Sequence, residues 1–251
     1  MQRLVLFFLI SAMAHAQDQL VLLNAGKDGK LNHDADIFIK APMIRFEQNK
    51  RSMIFNADTK TVYSLDNKRK QYLELDQEHM KSMASTVTTS MELLKKQLDK
   101  LPPDQRAKWE EKLSKGPFGG TPRSQKSYSY KEIKSNAPCG KWTCKQIEGS
   151  TDGVKTSEIH LADYSALGLT PESIGALKAM GQYFSEMAEM VGAQGPQFKF
   201  DKFEGIPVMV KTFDKDGVKR TMSISEVKKF TPKNETFSVP KDYEKNKLPL
   251  L

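Results

Sequence analysis

Five short β-rich runs crowd into residues 36–75, and this crowding constrains the fold more than any other feature of the chain. They are Asp36-Ile-Phe-Ile-Lys40, Met43-Ile-Arg-Phe46, Ser52-Met-Ile-Phe55, Thr61-Val-Tyr-Ser-Leu65 and Gln71-Tyr-Leu-Glu-Leu75. Turn formers such as Asn56-Ala-Asp58 and Asp66-Asn67 separate them. A parallel crossover needs a dozen residues or more, and no link here is that long. The runs must therefore pair as an antiparallel meander. A doubly wound fold, in which strands and helices alternate singly, is excluded.

The period changes after residue 76. Met80, Met83, Val87, Leu94, Leu98 and Leu101 recur at helical spacing and predict an amphipathic helix of about six turns over 77–101. Pro102-Pro103 stops it, and Pro103 also suits the first turn of a second helix that carries Ala107, Trp109 and Leu113. That helix ends near Gly116-Pro117, and Gly119-Gly120-Thr-Pro122 is a loop.

Strand patterning returns at Ser127-Tyr-Ser-Tyr-Lys-Glu-Ile133, Thr143-Cys-Lys-Gln-Ile147 and Ser157-Glu-Ile-His-Leu161. Thr170-Pro171-Glu172 then reads as a helix start: an N-cap hydroxyl, a proline at the first helical position and an acid at the positive end of the dipole. Ile174, Leu177, Met180, Phe184, Met187 and Val191 form the apolar face of this helix, which ends over Gly192 to Pro196. A hairpin closes the pattern, with residues 206–213 running through Asp214-Lys-Asp-Gly217 into 219–227. The expected fold class is α+β: a strongly curved antiparallel sheet, or half-barrel, with helices on its concave face. The expected domain is 36–245. A short strand or mobile arm at 17–35 precedes it, and a fraying basic tail ends the chain, with 246–251 outside the domain.

The first residues read as an address. One arginine precedes the apolar run Leu4 to Ile10, and Ala14-His15-Ala16 supplies the small residues a signal peptidase reads. Cleavage after Ala16 would release the protein into a periplasm or an extracellular space. Cys139 and Cys144 then stand in an oxidising compartment. A straight strand would hold them about 17 Å apart. Pro138 and Gly140 allow the chain to fold back, which predicts a local disulfide. Four residues separate the cysteines rather than two, which disfavours a redox motif, and two cysteines alone cannot fill a zinc site.

The chain contains no nucleophile elbow, phosphate loop or zinc-helix motif. His33, His79 and His160 share no ligand spacing, and His160 alternates onto the polar side with Glu158, which predicts a solvated position. His33-Asp34-Ala-Asp36 lacks the glycine and distal glutamate of a calcium loop. No catalytic residue, metal or cofactor is expected, and the protein reads as a non-enzyme. Its formal net charge of +8 is spread among acids, and no nucleic-acid motif accompanies it. The basic surface reads as solvated charge or as a means of peripheral contact with anionic lipid headgroups.

Methionine is the suggestive residue. Met80, Met83, Met91, Met180, Met187 and Met190 lie on the two long predicted helices. Met-rich faces serve as ordinary core, or as adaptable walls for apolar ligands. Met80, Met83, Val87, Met180, Phe184 and Met187 are the expected lining of a site for a lipid or acyl chain. The alternative is an envelope protein–protein interaction module with a closed core and no ligand.

Gly205-Ile-Pro-Val208, Ser225-Glu-Val-Lys228 and Phe237-Ser-Val-Pro-Lys-Asp-Tyr243, with Met43-Ile-Arg-Phe46, Tyr63-Ser-Leu-Asp66, Lys70-Gln-Tyr72 and Pro103-Asp-Gln-Arg106, carry a resemblance. Their order resembles that of a bacterial envelope family, a domain of unknown function placed near the outer-membrane lipoprotein carrier and its mycobacterial lipoprotein relatives. The likeness covers most of 36–245. It implies an antiparallel half-barrel plugged by helices, of a shape that holds acyl chains or lipoproteins in relatives, and it carries over no catalytic residue.

Overall fold

The structure, a computed structural model, describes residues 18–27, 30–114, 127–190, 204–233 and 235–246. The proposed signal peptide, the loop around Gly119 and the Gly192–Pro196 helix end lie outside them. Twelve strands and three α-helices are described. They run β1(Gln19–Lys27), β2(Lys30–Lys40), β3(Met43–Gln48), β4(Arg51–Asn56), β5(Thr61–Asp66), β6(Gln71–Leu75), α1(Gln77–Leu98) and α2(Pro103–Ser114). They continue β7(Tyr128–Cys139), β8(Trp142–Thr151), β9(Val154–Ala162), α3(Pro171–Met190), β10(Ile206–Asp214), β11(Gly217–Lys229) and β12(Glu244–Lys245). A 3-10 turn over Ser165–Leu167 leads into α3.

All twelve strands share one curved, open sheet in the order β12-β6-β5-β4-β3-β2-β1-β11-β10-β9-β8-β7. Every pair is antiparallel except β12 with β6. The expected α+β class and antiparallel meander are therefore present. Register shifts in β1, β2, β7, β8, β10 and β11 mark bulges, which bend strands and increase twist.

The turns follow from local chemistry. Asn56 Oδ1 accepts the backbone N–H groups of Asp58 and Thr59, and Asp66 Oδ1 accepts those of Lys68 and Arg69. Each is an Asx turn that a short polar side chain makes with its own backbone. Gly140, at φ +64°, turns β7 into β8, a conformation that costs glycine least. Gly205 enters β10 at φ +127°, and a Cβ there would stand 2.7 Å from the Ala162 carbonyl oxygen.

Of the short strand or mobile arm expected over 17–35, the strand is present: β1 and the first half of β2 belong to the sheet. β1 lies between β2 and β11, and so joins the N-terminal meander to the C-terminal one. The run Leu20-Val-Leu-Leu23 does not alternate because this inner strand has Gln19 and Val21 buried and Leu20, Leu22 and Leu23 half-buried. The basic tail is also tied down as far as Asn246. Glu244 N donates to Lys70 O at 2.9 Å and Asn246 N to Tyr72 O at 2.7 Å. Lys70 pairs with Asp242, and Lys245 with Glu74. Residues 247–251 lie outside the described residues.

Between β11 and β12 the chain crosses the sheet as a strap. Phe230 N donates to Asp18 O at 3.1 Å, the Phe230 ring packs between Phe38 and Phe237, and Arg45 Nη1 donates to Thr236 O at 3.1 Å. Phe38 and Arg45 face each other across β2 and β3 and alternate with Ile37, Ile39 and Ile44. The strap therefore covers the face opposite those isoleucines.

Candidate apolar binding face

The isoleucine face is built from one row of cross-strand partners. Gln19, Ile39, Ile44, Phe55, Val62 and Leu75 stand directly opposite one another on six successive strands. Opposed residues in an antiparallel pair point to the same side, so the row forms a continuous ridge. Ile39, Ile44 and Phe55 are fully buried.

α3 closes over this ridge. Its start is set as the sequence predicts: Ser173 N donates to Thr170 Oγ1 at 3.2 Å, and Pro171 is the first helical residue. Tyr183 supplies the key. Its ring lies 5.5 Å from Phe55 and 5.6 Å, edge-on, from Phe184, and its hydroxyl donates to Leu75 O at 3.3 Å. Burial and the nearby Asp76 carboxylate push the Tyr183 phenol upward. α1 begins at Asp76, whose Oδ1 accepts from His79 N at 2.8 Å, and this cap sets Met80 into the same cluster.

Four of the six expected lining residues are thus brought together. Met80 is buried, and Met180, Phe184 and Met187 are half-buried in one continuous cluster with Ile39, Ile44 and Phe55. The side chains of Met83 and Val87 lie outside the described residues. The sequence reading missed Tyr183, Phe55, Leu75 and Met53. For Tyr183 a signal exists: it stands seven residues after Ala176, which is also buried.

The predicted disulfide is present. Cys139 and Cys144 are bonded across the β7–β8 turn with Cα atoms 6.2 Å apart, inside the ordinary range. Both are buried in the same cluster as the ridge.

His160 is not solvated, contrary to its expected position. Its side chain is 9% exposed, and its Nε2 donates to Glu158 Oε1 at 2.9 Å. Lys211 Nζ reaches the same oxygen at 2.9 Å, and Lys155 Nζ reaches Oε2 at 3.1 Å. The polar pattern on β9 concealed this arrangement, because Lys211 comes from the neighbouring strand, directly opposite Glu158. Pairing places Cys144, Ala162, His160 and Glu158 on one face, so the apolar cluster passes into a charged margin.

Burial pushes the Glu158 carboxyl up, but the bonds from His160, Lys211 and Lys155 outweigh it and hold the pKa at about 2, below its ordinary 4.5. A carboxylate held low in the native state stabilises the fold above pH 4.5, and that stability is lost as pH falls towards 2. Glu158→Gln should lower unfolding free energy at pH 7 by about 2 kcal/mol and flatten the decline between pH 4.5 and 2. Urea midpoints measured across that window check it. Parallel acid profiles for the two proteins would refute the assignment.

Among the described residues no three His, Cys, Asp or Glu side chains gather as a metal site, and no described helix is long and apolar enough to cross a membrane. Compared by sequence, the chain matches no family model and no curated protein.

Proposed function

We propose that the curved sheet works as a half-barrel whose concave face is the ridge face, and that α3 and the start of α1 cover it as movable walls around an apolar chain. The protein is then a non-enzymatic binder of a lipid or acyl chain in the bacterial envelope, exported after cleavage behind Ala16 and built like the lipoprotein-carrier family it resembles. One observation carries this reading. Met180, Phe184 and Met187 stay half-exposed while joined to a fully buried ridge. Flexible thioethers at a partly open apolar boundary adapt to a guest more cheaply than a rigid core does. The charged margin around Glu158 keeps the open side wet.

A closed-core interaction module is the second reading, and the Phe55–Tyr183 contact favours it because it fills the middle of the ridge. Binding distinguishes the two. Native mass spectrometry of the protein purified without detergent should reveal a bound lipid, and the stripped protein should rebind palmitate. Met180→Gln/Met187→Gln should weaken palmitate binding at least tenfold, since covering each half-exposed methionine with the guest contributes about 0.8 kcal/mol or more. Met222→Gln, on the exposed surface of β11, should leave it unchanged. No bound lipid and no palmitate uptake would favour the closed module.

A further inference from the structure

A cavity lies away from the ridge, where the C-terminal strap meets the β2–β3 turn. It has a volume of about 280 Å³. Ala41, Pro42 and Met43 form one side, and Pro232 and Phe237 of the strap form the other. Two exposed lysines, Lys40 and Lys233, complete the lining. Neither has an ion-pair partner among the described residues.

The walls are held in place independently of any guest. Phe237 is stacked through Phe230 onto Phe38, and Arg45 fixes the strap at the Thr236 carbonyl. Preformed walls lower the ordering cost of binding. The volume falls just below the roughly 300–1,000 Å³ of sites that enclose drug-sized molecules, so the guest is compact. Five apolar residues stand beside two lysines, so the pocket offers polar and apolar surface in about equal measure, and the only charged groups among the described lining residues are the two ammoniums. A slot of such mixed surface, with two ammoniums in its lining, complements a molecule that is greasy at one end and anionic at the other.

We propose that this pocket binds a compact amphiphilic anion, an apolar group about the size of an aromatic ring or short branched chain that carries a carboxylate or a phosphate. The site does not depend on the guest proposed for the ridge face: Lys40, Met43 and the strap lie on the opposite side of the sheet, and Ala41 is the one described lining residue that also touches the ridge cluster.

Methionine methyl NMR on the full chain tests it, with Met43 as the reporter and Met180 and Met187 as controls on the other face. Sodium benzoate and phenyl phosphate should each shift the Met43 methyl saturably and leave Met180 and Met187 in place. The tighter of the two identifies the anionic group. Benzyl alcohol, which keeps the ring and lacks the charge, should bind at least several-fold more weakly. Lys40→Gln/Lys233→Gln should weaken benzoate roughly fivefold to tenfold, the sum of two exposed charge contacts. Both lysines are exposed, so the variant keeps the fold. The proposal is overturned if neither anion saturates the Met43 shift, if benzyl alcohol binds as tightly, if the double variant binds unchanged, or if inorganic phosphate alone competes equally well.

Discussion

Phe55→Ala should cost about 4 kcal/mol of unfolding free energy. Phe55 is fully buried at the middle of the ridge, opposite Ile44 on one strand and Val62 on the other. Truncation removes the transfer energy of the ring and leaves a void that the neighbouring strands cannot close, because the ladder fixes their spacing. It also removes one of the two aromatic partners of Tyr183, a pairing that adds about 0.5–1.5 kcal/mol beyond buried area. Tyr183 cannot follow the void without giving up its bond to the Leu75 carbonyl. The loss should appear in urea denaturation as a lower midpoint with an unchanged slope. A loss under about 1.5 kcal/mol would mean that α3 is not seated on the ridge.

Replacing both Cys139 and Cys144 by alanine should cost about 2 kcal/mol, by the loop-closure entropy of so short a ring. For a chain of this size the melting temperature should drop by roughly 5 °C. The bond does more than close a turn. Both sulfurs are buried in the ridge cluster, and Trp142, within the same turn, packs against that cluster. Breaking the bond therefore loosens the turn and the packing together. The double alanine variant and the dithiothreitol-treated native protein should melt at similar temperatures, both below the oxidised form. Identical melting in oxidised and reduced native protein would contradict the structural role.

What the sequence made legible was local. The Asn56 and Asp66 turns, the Thr170 cap and the Asp-Gly hairpin each depend on residues within a few positions, and each is present. What it concealed was contact between distant segments. β1 gives no alternating signal because its second partner, β11, lies about two hundred residues away and buries what an edge strand would expose. β12 reads as a charged tail because its pairing with β6 has no local signature. His160 reads as solvated because one further partner of its acceptor, Lys211, sits on another strand. The candidate site was half visible. Helical spacing found Met80, Met180, Phe184 and Met187, but the ridge they pack on emerges only from register. The pocket between Met43 and Phe237 could not be read at all, since its two walls lie about 190 residues apart in sequence.

Photo-crosslinking with a diazirine-bearing palmitate, followed by peptide mapping, tests the central proposal most directly. Adducts should fall on α3 around Met180, Phe184 and Met187 and on the ridge strands near Met53 and Leu75, and excess unlabelled palmitate should suppress them. Adducts confined to the strap, to exposed Leu93 of α1 or to no defined position would contradict an acyl-chain site beneath α3.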